Sequence, residues 1–167
     1  MAPIIRDGRL VPETWQWLDS AQALTALAPG ARIVLPFPVW REVRDALTSP
    51  TCVFGISVAA TAEPADFAED VARLAFIGVH FPKSTDGRGY SLARILRDRY
   101  RYGGELRAFG GVSRDQLYDL LRCGFDSFQL REGEDPRAAL ASLHPFSESY
   151  QATALSPLPL FRRRLAA

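Results

Sequence analysis

The sequence predicts an α/β protein built from five consecutive strand-then-helix units. Three observations lead there. Short apolar runs ending in proline or glycine recur along the chain, each is followed by a segment with helical spacing, and consecutive parallel strands need such a crossover to connect them. The expected sheet is mostly parallel, either open and doubly wound or curled into part of a β/α barrel, with a small N-terminal hairpin ahead of it. A chain of 167 residues fits one domain large enough to bury about two-thirds of its unfolded surface. Residues 1–151 read as that domain, and 152–167, "ATALSPLPLFRRRLAA", as a loosely ordered arginine-rich tail.

The elements follow in order. "IIRDGRLV" (residues 4–11) sets two apolar runs around Asp7-Gly8, a dipeptide suited to a type I′ hairpin turn. From 13 to 29, Trp15, Trp17, Leu18, Leu24 and Leu27 are spaced nearer to a helix than to alternation. "ARIVLPF" (31–37) is a buried strand closed by Pro36 and Pro38, and "VWREVRDAL" (39–47) carries a helical stripe of Trp40, Val43 and Leu47. "CVFGISVA" (52–59) is the next strand, and Pro64 opens a helix over 64–74, where its missing N–H costs little. "AFIGVHF" (75–81) is a third strand; after a glycine-rich loop, "SLARILRDRY" (91–100) is a helix with Leu92, Ile95 and Leu96 on one face and Arg94, Arg97 and Arg101 on the other. Gly103-Gly104 stops that helix and "ELRAFGG" (105–111) is strand four. Ser113 with Gln116 makes a capping box for a helix closed by Gly124. "FDSFQL" (125–130) is strand five, and Asp135-Pro136 starts a last helix through Leu143.

Composition narrows the function classes. A formal net charge of +1 supplies no strong field for nucleic acid or an anionic membrane. No apolar run approaches the roughly 20 residues of a spanning helix, and no basic segment after Met1 leads into an apolar core, so a secretory signal is not expected and the cytoplasm is the expected address. His80, His144, Cys52 and Cys123 are too few and too scattered for a zinc or iron site, so no metal is expected.

Chemistry is expected at the carboxyl ends of parallel strands, where loops meet the positive amino ends of the next helices. Residues 82–90 occupy that edge in a loop longer than the about 2 to 6 residues that connection alone demands. It holds Lys83, the only lysine among 20 Lys and Arg residues. Lys83 and Arg88 supply cations, Gly87 and Gly89 permit positive φ and close backbone approach, and Ser91 can cap the following helix. That set suits a phosphate, sulfate, sulfite or carboxylate. The competing reading has Asp86 neutralise both cations in a self-satisfied turn, and the loop is neither GxGxxG nor a P-loop. Arg114, Asp115 and Gln116 open the next helix on the same edge, and Arg114 and Asp115 could face the loop, although exposed first-turn positions explain these two better. If a reaction occurs, Asp86 or Asp115 is the expected proton acceptor. His80, alone on its strand, reads as a packed, hydrogen-bonded residue.

"FPKSTDGRGYSLARILRDRY", "GELRAFGGVSRDQL" and "LLRCGFDSFQL" resemble the signature stretches of a bacterial family of unknown function, encoded beside assimilatory sulfite reductase and often labelled a probable oxidoreductase in sulfite reduction. The resemblance runs from the hairpin through "FSESYQ" (146–151) and carries over to Lys83, Asp86, Gly87, Arg88, Gly89, Tyr90, Ser91, Arg114, Asp115 and Gln116. This chain departs from the pattern at Ser84, where an aromatic is common, and at Gly111, where an acid is common. Taken with the cations and glycines of the loop, the resemblance leads to the expectation of an accessory protein of sulfate or sulfite assimilation that binds an oxyanion or phosphate-bearing ligand at Lys83–Ser91. A ligand-free module would instead dock to a sulfite reductase or transporter through the arginines of helix 91–101 or through Arg162, Arg163 and Arg164. A flavin- or nicotinamide-dependent oxidoreductase is a third reading. The chain cannot be the reductase by itself, because an iron–sulfur cluster ordinarily takes four cysteines and there are two. Redox work would need an organic cofactor, which the sequence does not identify, or a partner carrying the electrons.

Overall fold

The structure is a computed structural model that describes residues 3–47, 52–83 and 86–143, together with 153, 158, 159 and 162. Asp7 and Gly8, at φ 50° and 71°, turn β1 (Ile4–Arg6) back onto β2 (Arg9–Val11), the left-handed pair a type I′ hairpin requires. Parallel strands follow: β3 (Gln16–Trp17), β4 (Arg32–Pro36), β5 (Val53–Ala59), β6 (Phe76–Phe81), β7 (Glu105–Gly110) and β8 (Ser127–Phe128). The helices are α1 (Phe37–Val43), α2 (Arg88–Asp98), α3 (Leu117–Cys123) and α4 (Pro136–Leu140).

The sheet order is β2-β1-β8-β7-β6-β5-β4-β3, eight strands curled into a half-barrel. From β3 to β8 the spatial order matches the chain order, so no strand reversal creates the switch point of a doubly wound sheet. Right-handed crossovers in one direction put every helix on one face. Ile33, Leu35, Ile56, Ile77, Val79 and Leu106 line that face and meet Trp40, Phe67, Leu92, Leu96 and Leu120 in the main core. Each such side chain, fully buried, contributes about 1.5 to 3 kcal/mol. Alternation sends Val34, Phe76, Glu105, Arg107 and Phe109 to the opposite, concave face, where Trp15, Val34 and Phe76 form a second, smaller core.

Several expectations need correction. The sheet has eight strands, not five, and the hairpin is no appendage: β1 pairs antiparallel with β8 and extends the sheet. The five-unit rhythm fails between β5 and β6, where residues 64–74 form two 3-10 turns, Pro64–Phe67 and Val71–Arg73, in place of a helix. Burial of Pro64, Phe67, Val71 and Leu74 satisfies the same apolar spacing, and Asp70 between the turns is buried against Arg44 Nη1 at 2.6 Å. Residues 13–29 hold β3 and a 3-10 turn (Ala21–Ala26), so Trp15 and Trp17 share a sheet face by alternation. Helix α2 starts at Arg88, three residues before Ser91, and stops before Gly103: Arg101 takes the left-handed position at φ 53°, with Tyr102 N donating to Leu96 O at 3.0 Å. The capping box forms as expected, with Ser113 N donating to Gln116 Oε1 at 3.0 Å, and Gly124 closes α3 at φ 112°. Most of the arginine-rich tail, including Arg163 and Arg164, lies outside the described residues. Among the described residues, no helix is long and apolar enough to cross a membrane.

Candidate functional site

Past the end of β6 the chain bends at Pro82 and Lys83, and α2 begins at Arg88. Asp86 N donates to Lys83 O at 3.2 Å, closing the bend. Asp86 then organises the start of α2. Its Oδ1 accepts from Arg88 N at 3.2 Å and from Arg88 Nε at 2.9 Å, while Oδ2 accepts from Arg88 Nη2 at 2.8 Å. This forked pair holds the Asp86 carboxyl at about 2, chiefly through the Arg88 side-chain hydrogen bonds. A carboxylate so acidic, with both oxygens engaged, is a poor proton acceptor and a good brace. Asp86, and not Ser91, therefore supplies the side-chain acceptor at the start of α2, and Ser91 sits exposed in the first turn.

Lys83 is exposed and has no partner among the described residues. With Pro82, Asp86, Gly87 and Arg88 it lines a depression of about 440 Å³ at the carboxyl end of the sheet. Arg88 presents one fork to Asp86 and leaves Nη1 without a partner among the described residues. Two cations against one carboxylate leave the depression with one net positive charge.

The glycines act differently from expectation. Neither Gly87 nor Gly89 has positive φ. Nothing lies within 4 Å of an added Gly87 Cβ, so that position opens onto the depression. Gly89 is buried, and a Cβ there would stand 2.4 Å from Phe81 Cζ; its close approach is to a core ring and not to a ligand. Tyr90 packs edge-on against Phe81 at 5.8 Å, and its hydroxyl accepts from Gln116 Nε2 at 3.2 Å, with burial pushing the phenol upward. Gln116 thus ties the capping box of α3 to α2, a structural duty. Arg114 and Asp115 are exposed and line a different depression with Arg131 and Glu134, so they are not gathered with Lys83. The Ser113 hydroxyl holds the Asp115 carboxyl below its ordinary range.

Of the α2 arginines, Arg94 pairs with Asp98, and Arg97 turns inward to Gly124 O, Tyr102 O, Gly104 O and the Asp126 carboxylate. Arg97 thus leaves the exposed arginine face expected of this helix, while Arg94 and Arg101 stay at the surface.

The concave face holds what sequence reading missed. Arg107 is fully buried; its guanidinium donates to Ser127 Oγ at 2.9 Å, to Glu105 Oε1 at 2.6 Å and to Glu13, and lies 4.8 Å from the Phe76 ring centroid. Trp15 Nε1 donates to Glu105 Oε2 at 3.1 Å. Burial works against the Glu105 carboxylate, yet Arg107 and the surrounding donors hold it below its ordinary range. The signal was present in "ELRAF": alternation places Glu105, Arg107 and Phe109 on one face, and a charge at the middle of a central strand demands a partner. His80 was expected to be packed and hydrogen-bonded. It stands exposed on this face, 5.1 Å from Phe109.

A curled, mostly parallel half-barrel sheet with its helices packed on one face defines the class: an α/β protein. Within that class, this chain belongs to the family described as bacterial protein of unknown function (DUF934), which it matches over residues 55–161. The match spans β5 to α4 and includes Lys83, Arg88 and Arg107, while Glu13 and Trp15 fall before it. Neither the curated proteins nor the solved structures contain a match.

Proposed function

We propose that this protein binds an oxyanion, or the phosphate of a larger ligand, at the depression between Lys83 and Arg88, and serves as an accessory protein of sulfate or sulfite assimilation. One observation carries the reading. Lys83 is unpartnered among the described residues and faces the same depression as Arg88, whose guanidinium Asp86 holds in place. A braced guanidinium loses less side-chain entropy on meeting an anion, and the lysine adds a mobile point charge. Asp86 is then a positioning residue. With its carboxyl held at about 2 by Arg88, binding is favoured over proton transfer at this loop. The sulfur assignment is supported by the likeness of the loop and its flanks to proteins encoded beside sulfite reductase.

Calorimetric titration with sulfate, sulfite and adenylyl sulfate tests the reading. Wild type should bind at least one of them; Lys83→Ala should weaken binding by about tenfold, as expected for loss of one charge-assisted contact of about 1.5 kcal/mol, and Lys83→Ala with Arg88→Ala should abolish it. Absence of heat with all three ligands on wild type overturns the proposal.

A further inference from the structure

The concave face carries a run of aromatic rings that anion binding alone does not use. Trp15 lies 4.8 Å from Phe76, Trp17 lies 5.7 Å from Phe76 and 4.8 Å from Phe109, and His80 lies 5.1 Å from Phe109, between ring centroids. The run begins in the buried layer with Trp15 and Phe76. It ends near the carboxyl rim of the sheet, where Trp17 and Phe109 are half-buried and His80 is exposed. Core packing accounts for Trp15, Phe76 and Trp17, which packs against them, but gives no reason to stand the exposed His80 ring against Phe109 at the open end of the same face.

Glycine keeps this floor low. A Cβ on Gly78 would sit 2.9 Å from Phe76 and 3.2 Å from Phe109, so both rings lie against bare backbone. At the rim, Gly110 at φ 95° would place a Cβ 2.7 Å from the His80 ring, and the next residue, Gly111, would place one 3.2 Å from Lys83 Cα. Two consecutive residues therefore lie against the last ring of the run and the main chain of Lys83. The His80 ring and the Lys83 backbone share one rim.

We propose that the ligand is a planar aromatic ring carrying an oxyanion, stacked on the exposed His80 ring beside Phe109, with its anion held by Lys83. The inference rests on the oxyanion reading and names its ligand class. Stacking on an exposed ring accepts any flat heterocycle, and the lysine supplies the complementary charge. A nucleoside monophosphate combines both features.

Adenosine 5′-monophosphate, adenosine and inorganic phosphate are the probes, followed by calorimetry and tryptophan fluorescence on the full chain. The monophosphate should bind at least about tenfold tighter than phosphate, as one stacked base allows, and should quench tryptophan emission. Phe109→Leu and His80→Ala should each weaken the monophosphate several-fold and leave phosphate unchanged, whereas Lys83→Ala should weaken both. His80 is exposed, so its variant keeps the test valid should Phe109→Leu fail to fold. Phosphate binding with no gain from the adenosine group overturns this inference and spares the anion site; silence from both phosphate and monophosphate also overturns it, and silence that extends to sulfate, sulfite and adenylyl sulfate overturns the anion site with it. Unchanged monophosphate affinity in folded His80→Ala and Phe109→Leu also overturns the stacked ring.

Discussion

Asp86 and Arg88 form the smallest unit on which the loop depends, and their pairing is measurable by titration. The Asp86 pKa lies at about 2 in the fold against an ordinary 3.8. A depressed acid contributes stability that is present above its unfolded pKa and disappears as pH falls through the folded value, so the brace holds across all neutral and mildly acidic conditions. Carbon-detected NMR should place the Asp86 midpoint near 2 in wild type and back toward 3.8 in Arg88→Ala; a wild-type midpoint near 3.8 would show that the pair does not form in solution. Two neighbouring glycines supply a matched contrast. Alanine in a helix ordinarily gains about 1 kcal/mol over glycine, but at Gly89 its Cβ would meet Phe81 at 2.4 Å. Phe81 is fully buried beside Tyr90 and Phe125, and overpacking of this kind costs about 1 to 3 kcal/mol. Gly89→Ala should therefore lower the urea midpoint by more than Gly87→Ala, which sits at the N-cap of α2 with open space around it. Equal midpoints for the two variants would mean that Phe81 moves aside freely.

At the scale of the strand, β7 joins the two faces of the molecule: Leu106 and Ala108 enter the main core while Glu105, Arg107 and Phe109 face the concave side. Replacing Arg107 with leucine leaves Glu13 and Glu105 buried without their central counter-charge, a change that costs about 3 to 5 kcal/mol. The pH dependence should invert. In wild type Glu105 is held below its ordinary range, so its stabilisation is lost as pH falls through the folded pKa; in Arg107→Leu the buried carboxylates favour protonation, so stability should rise as pH drops from 7 toward 5. Urea unfolding at both values checks this, and a variant with the wild-type slope would assign the neutralising role to Arg6 and Arg32, which also approach Glu105. Strand β7 also marks what could be read in advance. Its limits, the capping box after it and the glycine closing α3 were legible because each rests on local chemistry: alternation, a reciprocal side-chain pair and a left-handed stop. The identity of residues 64–74 was not, because apolar spacing at 64, 67, 71 and 74 serves a helix or two 3-10 turns equally. The loop residues were found, but their division of labour was not: Gly89 answers to Phe81, and Gln116 to Tyr90, through contacts between segments that one-dimensional reading does not join.

For the whole molecule, the sequential order of the parallel strands has a cost that the N-terminal segment offsets. Helices cover one face only, so the concave face must find other cover, and it takes that cover from residues ahead of β4: Glu13 and Trp15 reach Arg107, Glu105 and Phe76, and β1 closes the free edge of β8. The family match begins at residue 55 and leaves all of this out. A fragment of residues 55–161 would keep the Lys83 loop, yet it would strip Trp15 and Val34 from the smaller core, remove β4 from beside β5, and leave Arg107 short of Glu13. Two bare strand edges would also invite association with other chains. The expected outcome is a fragment that aggregates or lacks a cooperative thermal transition, whereas the full chain shows one by circular dichroism. Adding residues 3–54 as a separate peptide should restore solubility if cover of the concave face is the missing element. A monomeric fragment that melts cooperatively would show instead that the helix-side core alone sustains the half-barrel, and that the N-terminal segment serves the rim where Trp17 stands.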